Sequence, residues 1–246
     1  MGLGQVAIDE LGPLYFKTDK EIGGLSFDPK QIAVVLTVGG LTLLVWQSLV
    51  YGYIDKMYGA TLTLKVGMGL LAVSVLLWPA IGALFGNFET QWLVVIVSIA
   101  QAMKVAAMGS CFPANFVVTN NSVPDLIKGR VNGAAQTFVS ALRTFAPIIS
   151  GSTFAFSLSI GPEKPSELLI RLRCFIAFIV CSLFFVCGCL LSLLMPKYLD
   201  NPFDARVAEE ALGRRKLQGL YELVDYEDDF EDPASRSAKE EYPHEM

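Results

Sequence analysis

Between Gln31 and Thr119 the chain carries only five charged residues: Asp55, Lys56, Lys65, Glu89 and Lys104. A water-soluble domain needs a dense scatter of charge over its surface, so a stretch this long and this poor in charge cannot be the outside of a globular protein. It must meet hydrocarbon. A bilayer core about 30 Å thick takes about 20 mostly apolar residues per helical crossing. Five stretches qualify: 31–53, 66–85, 91–118, 131–158 and 168–195, the last closed by Pro196. They exceed the ~10-residue alternating strands of a membrane barrel and show no polar alternation. The expected fold class is an all-α membrane protein with about five transmembrane helices. Gly39, Gly40, Gly67, Gly69, Gly133, Gly151, Ala106 and Ala107 fall within the runs. Small residues let membrane helices approach closely, which points to a packed bundle. Pro147, past the middle of the fourth run, predicts a kink.

The charge excluded from the middle collects at the flanks and divides the chain into three parts: a lead over 1–30, a transmembrane bundle over 31–196 and a tail over 197–246. In the lead, residues 9–16 are moderately apolar but too short to cross. They read either as the exit half of a helix or as an interfacial lead, with the whole lead extracytosolic. The lead has no basic start and is interrupted by Asp9, Glu10, Lys17 and Asp19, so it does not read as a signal peptide. Gly2 lacks the Ser or Thr four residues on that myristoylation wants, because Val6 stands there. In the tail, 205–224 has roughly helical spacing, and the acidic segment after Asp225 has a disordered composition.

Several functional classes drop out. The net charge of −5 comes mostly from the tail and argues against nucleic-acid binding. Cys111, Cys174, Cys181, Cys187 and Cys189 lie within apolar runs, and the only histidine is His244, so neither a metal site nor a cofactor is expected. No paired carboxylates, histidine cluster or nucleophile–base pair is visible, so the chain does not read as an enzyme.

Lysine and arginine in short loops set orientation. With five crossings, Lys56 and Lys65, Lys128 and Arg130, and Lys197 with Arg214, Arg215 and Lys216 share one side, which is expected to be the cytosol. Lys17, Lys20 and Lys164 lie opposite, with Arg171 and Arg173 near the start of the last run. Asn120-Asn121-Ser122 is then a glycosylation sequon on the wrong side for use.

Several short motifs occur in order. Glu21-Ile22-Gly23-Gly24-Leu25-Ser26-Phe27 leads into Leu43-Leu44-Val45-Trp46-Gln47-Ser48-Leu49-Val50-Tyr51. Asn120-Asn121-Ser122-Val123-Pro124 precedes Gly129-Arg130-Val131-Asn132-Gly133-Ala134-Ala135-Gln136-Thr137, and then come Leu142-Arg143-Thr144-Phe145-Ala146-Pro147 and Ser150-Gly151. Over about residues 9–194 this resembles the C-terminal half of major facilitator superfamily transporters, closest to the zinc-induced-facilitator-like and drug:proton antiporter branch. The resemblance implies a partial major facilitator fold. The five runs would be helices eight to twelve, and residues 9–16 the end of helix seven. It also implies a secondary active transporter, proton-coupled, for a small organic solute, drug or metal chelate. The chain is expected not to transport by itself, and a separate N-terminal transporter half would be its partner, beside the lipid bilayer, the solute and protons. Such a protein is a multi-pass membrane protein of the plasma membrane or of a vacuolar or other endomembrane. The alternative is a non-transporting membrane scaffold or regulator that acts through its tail, where Tyr221-Glu222-Leu223-Val224 has the form of a sorting signal.

The resemblance also implies a cytosolic gate motif, G-x-x-x-D-R-x-G-R-R. Here it corresponds to Gly52, Asp55, Lys56 and Gly59, with both glycine spacings off by one and the second basic pair reduced to Lys65. An Asp there would accept hydrogen bonds from a neighbouring helix N-terminus. The plainer reading is a solvated turn. Independently of the resemblance, Lys104 and Arg143 lie about 13 and 12 residues into their runs, or ~20 Å along a helix. Deep charges of this kind commonly mark a solute or ion path, with a structural ion pair to Asp9 or Glu10, or hydrogen bonding to carbonyls, as the alternative. Gln47, Asn115 and Gln136 are polar positions that would line the same cavity or join helix to helix. The candidate pathway is therefore Lys104, Arg143, Gln47, Asn115, Gln136 and Glu10.

Overall fold

The computed structural model describes residues 1–86, 88–160, 170, 172–207, 210, 211 and 213. Among them there is no strand. The main helices are α1 (Gly2–Lys17), α2 (Pro29–Val45), α3 (Tyr51–Phe85), α4 (Thr90–Asn121), α5 (Lys128–Ser159) and α6 (Phe175–Leu193).

Residues 9–16 lie inside α1, which buries Ala7, Ile8, Leu11, Tyr15 and Phe16. An interfacial lead would leave these side chains on the surface. The Gly-Gly-Leu-Ser-Phe segment then folds back along the end of α1. Phe27 N–H donates to Phe16 O at 2.8 Å and Ser26 N–H to Thr18 O at 2.9 Å. Gly23 sits at φ 105°, and a Cβ on Gly24 would meet Thr18 O at 2.1 Å, so the return is built on two residues without side chains. It drops Leu25 and Phe27 into the core. There Tyr15, Phe16, Phe27, Trp78 and Phe178 form edge-to-face and tilted pairs with centroids 5.0–6.2 Å apart.

Asp28-Pro29 starts α2, with proline at a first-turn position where its missing N–H is harmless, and Asp28 N–H donates to Gln31 Oε1 at 2.9 Å. A π turn over Trp46–Val50 passes the helix on to α3. The one non-helical residue inside α3 is Gly59, at φ 78° and ψ 159°. The chain reverses there. Along α4, Gly39 lies against Gln101 and Trp46 Nε1 donates to Ser110 Oγ, so α2 runs parallel to α4. Gly67 lies against Cys111 and Trp78 beneath Lys104, so α3 beyond Gly59 runs antiparallel to it. The connection between the first two expected crossings is thus helical on both sides with the turn concentrated at one glycine. Residues 54–65 contain no proline and no other glycine to break the helix.

Among the described residues, three helical runs are long and apolar enough to cross a membrane: Pro29–Phe85, Thr90–Asn121 and Phe175–Leu193. The first has 57 residues, about 85 Å of helix at 1.5 Å per residue. Folded at Gly59, it supplies both of the first two expected crossings. Helix α5, the fourth, has 32 residues and therefore the length, but Asn132, Gln136, Ser140, Arg143 and Thr144 make it more polar. Pro147 lies within it as expected, and Ser150 Oγ donates to the Pro147 carbonyl at 3.2 Å. Helix α5 packs on α1 and α6, and α6 packs on α3, where Ser182 Oγ donates to Ala72 O at 2.8 Å.

At one end of this bundle, Asp200 meets Thr61, Lys65 Nζ donates to Met195 O at 2.8 Å, and Asn121 Nδ2 donates to Leu199 O at 2.9 Å. The turn at Gly59, the end of α4 and the exit from α6 therefore share an end. The sequon asparagines are engaged here too, since Asn120 Oδ1 accepts from Asn132 Nδ2. The bundle forms one compact unit through Asp200, and a second unit begins at Asn201. Within the second unit the Arg206 guanidinium lies 5.5 Å from the Phe203 ring centroid. Most of the helical spacing over 205–224, the acidic segment and Tyr221–Val224 fall outside the described residues.

Candidate functional site

Lys104 is 2% exposed at the centre of α4. A lone ammonium there would be strongly disfavoured by desolvation, and two neighbours answer it. Its Nζ donates to Asp9 Oδ1 of α1 at 2.8 Å, and it lies 5.1 Å from the centroid of Trp78 on α3. Three helices converge on one cation. The Asp9 side chain is 49% exposed, so the pair has a dry end and an open end.

Asp9 and not Glu10 faces Lys104. Glu10 is exposed one position on, because neighbouring residues of a helix point about 100° apart. Buried oxygens without hydrogen-bond partners lie one turn from each member of the pair: Gln5 Oε1 on α1 and Gln101 Oε1 on α4. Trp78 Nε1 is likewise buried without a partner.

Arg143 is half-buried on α5 and packs against the first turn of α1, where its Nε would lie 3.1 Å from a Cβ on Gly2. That Nε is also buried without a hydrogen-bond partner. Pro147 lacks an N–H, so the Arg143 carbonyl lacks its i+4 donor as well. Gln47 and Asn115 are exposed on α2's extension and on α4, and Gln136 is half-buried on α5. The structure joins Lys104 to Asp9 and Trp78, and it does not bring Glu10, Gln47, Asn115 or Gln136 into contact with that pair. Trp78 carried no signal in the sequence, since an aromatic in an apolar run reads as packing. Asp9 stood out only as a possible partner for the lysine.

This is a multi-pass membrane bundle with a charged centre, and the chain is similar to proteins named as transporters. A probable peptide/nitrate transporter of Arabidopsis thaliana is 30% identical over 155 residues, covering 63% of this chain and 31% of the relative. The zinc-induced facilitator-like 1 protein of the same plant is 26% identical, covering 63% and 32%. A major facilitator superfamily multidrug transporter, mfsB, of Aspergillus fumigatus is 25% identical over 175 residues, covering 63% and 27%. The chain is homologous to major facilitator superfamily transporters. It spans about a third of the length of these curated relatives. No family model matches it, and no solved structure matches it.

The superfamily loop motif lands at the reversal of the chain, and its residues divide. Gly59 is the turn itself. Asp55 stays within its own helix and accepts from Tyr51 Oη at 3.4 Å. Gly52 and Lys56 are exposed, and no atom lies within 4 Å of a Cβ built on Gly52. The helix N-terminus that follows Gly59 is capped by a different aspartate. Asp200 Oδ1 accepts from Thr61 N–H at 2.7 Å and from Thr61 Oγ1 at 2.6 Å. The physical role expected of the motif's carboxylate, satisfying free N–H groups at a helix start, is present at this loop, but Asp200 fills it from beyond the last helix.

Proposed function

We propose that this chain supplies the C-terminal helical bundle of a proton-coupled secondary transporter for a small organic solute, drug or metal chelate. It works against an N-terminal bundle, and Lys104 and Arg143 face the solute path with Gln47, Asn115 and Gln136 along it. The observation that carries this reading is the Lys104–Asp9 pair, buried at the lysine and half open at the aspartate. Unpartnered Gln5 and Gln101 oxygens flank it one turn away. Buried polar atoms without partners are uncommon in native proteins, and intramembrane charges concentrate along ion and solute routes. The relatives named as transporters support the same reading. In this fold sites lie near the midplane between two bundles, so one bundle is not expected to transport alone.

The test is pH-gradient-driven flux in sealed vesicles, measured for the chain alone and together with the N-terminal bundle of a relative. A panel of organic cations, organic anions and zinc chelates covers the solute classes. Flux is expected only when both bundles are present, and Lys104→Ala is expected to impair it while membrane insertion persists. Robust flux by the chain alone would overturn the half-transporter reading, and flux indifferent to the pH gradient would overturn the coupling.

A further inference from the structure

Asn132, Gln136, Ser140 and Arg143 follow one another along α5 at spacings of four, four and three, so they share one face of the helix. Asn132 is bonded to Asn120 at the end of the bundle where α4 finishes. From there the polar row runs 11 residues, or about 16 Å, up to Arg143. Asn132, Gln136 and Arg143 are half-buried and Ser140 is exposed. Polar side chains inside a span generally face a bundle interior or a water-filled cavity. The row therefore gives a wettable track from one end of α5 to a cation at its midpoint.

That cation has no counter-charge among the described residues. A guanidinium keeps its proton in proteins, so Arg143 cannot escape burial by becoming neutral. Its Nε is packed beside Gly2 of α1, buried and without an acceptor. The carboxylates of α1 lie further along: Asp9 and Glu10 are seven and eight residues beyond Gly2, about 10 and 12 Å up the helix. Asp9 is already engaged by Lys104. Helix α6, which also packs on α5, has no charged residue between Phe175 and Leu193, and the only charge in α4 is Lys104. Asp125, just before α5, pairs with Lys128 at the far end of the polar row. The two deep cations thus differ. Lys104 is answered from within the bundle and Arg143 is not. A phospholipid phosphate does not answer it either. Arg143 stands midway along α5, 15 residues from Lys128 and 16 from Ser159, which is about 22–24 Å from either end.

We infer that Arg143 holds the carboxylate of the transported solute, which makes that solute an organic anion and not an organic cation; this rests on reading the bundle as half of a transporter. The Lys104–Asp9 pair is neutral as a unit, so it leaves the positive potential of Arg143 in place. Glu10 points away from it on α1. The planar fork of a guanidinium matches a carboxylate with two parallel hydrogen bonds, and such charge-assisted bonds are among the strongest available in a dry site. Nε is held against α1, so the remaining N–H groups are the ones that meet the ligand.

Phenylbutyrate and phenylbutylamine carry the same apolar body and opposite charge at neutral pH, and equilibrium dialysis of each against the purified full chain separates the two classes. Saturable binding of phenylbutyrate, one per chain, is expected, with none of phenylbutylamine. Arg143→Gln should weaken phenylbutyrate about tenfold or more, the loss of a hydrogen-bonded charge. Arg143→Lys keeps the charge without the fork and should fall between. Thermal unfolding checks that both variants fold. If Arg143→Gln does not, the side-chain NMR signal of the Arg143 Nε–H in the unsubstituted chain decides, assigned as the resonance that Arg143→Lys lacks. It should shift with phenylbutyrate and stay still with phenylbutylamine. Equal binding of the amine, or phenylbutyrate binding that is non-saturable or indifferent to Arg143→Gln, would overturn the proposal, because a carboxylate of another bundle or water alone would then answer Arg143. The transporter reading stands on flux. Gradient-driven flux of organic cations with both bundles present would overturn the anion class and leave the transporter standing. Phenylbutyrate binding through Arg143 without any flux would keep the anion site and overturn the transporter.

Discussion

The carboxylate of Asp200 accepts both the backbone N–H and the hydroxyl of Thr61, a residue 139 positions earlier in the chain. It serves as the cap for a helix start that has no capping side chain of its own. Exchanging a capping Asp for Ala costs about 0.5–2 kcal/mol in general. Asp200→Ala is therefore expected to lower stability by about 1–2 kcal/mol, and Asp200→Asn by less, since the amide oxygen still accepts. Thermal unfolding of the purified chain in detergent checks this. An unchanged midpoint for Asp200→Ala would show that water satisfies Thr61 equally well.

Gly59 and Gly52 make a controlled comparison. Gly59 sits at φ 78° and ψ 159°, and a Cβ there would lie 2.7 Å from Asp200 Oδ2. Gly59→Ala is expected to cost about 1–3 kcal/mol in backbone strain, with the clash added. Gly52 is helical and open, so Gly52→Ala is expected to be neutral or to stabilise by about 0.5–1 kcal/mol. The same unfolding assay reads both. Equal responses would show that the reversal is not built on Gly59.

The Lys104–Asp9 pair should respond asymmetrically. Removing Asp9 strands a cation that is 2% exposed, whereas removing Lys104 leaves a carboxylate that is 49% exposed and free to hydrate. Asp9→Ala is expected to cost up to about 3 kcal/mol, the low end for a broken buried pair because solvent screens its open side. Lys104→Met puts an apolar chain of similar length beside Trp78 and should cost less. The double variant should resemble Lys104→Met. If Lys104→Met proves the worse of the two single variants, the cation–π contact with Trp78 outweighs the ion pair.

Sidedness is expected to follow the lysines. A tag placed after Met246 should be cytosolic, and a cysteine at Lys20 should be labelled from the opposite side of a sealed membrane by an impermeant maleimide. A luminal tag would reverse the orientation drawn from Lys56, Lys65, Lys128 and Lys197.

The membrane class was legible because it is set by composition over length. A run such as 31–53 can satisfy its backbone in hydrocarbon only as a helix, whatever its neighbours do. Lys104 also announced itself, because a cation deep in an apolar run demands a partner. The identity of that partner did not follow. Asp9 and Glu10 are adjacent in sequence, and only the way α1 is seated on α5 and α6 turns one of them toward Lys104.

What the sequence by itself determined is the solvent this protein lives in, the helical form of its crossings and the positions where charge must be answered. Each depends on local chemistry or on hydrophobicity summed over a window of about 20 residues. The tertiary structure decided which groups do the answering: Trp78 beneath Lys104, Asp200 at Thr61, and the single residue, Gly59, at which two crossings become a hairpin. The two pairings join residues 26 and 139 positions apart in the sequence. A contact at such separation is set by helix register and packing angle, and no pattern in the intervening sequence encodes either one.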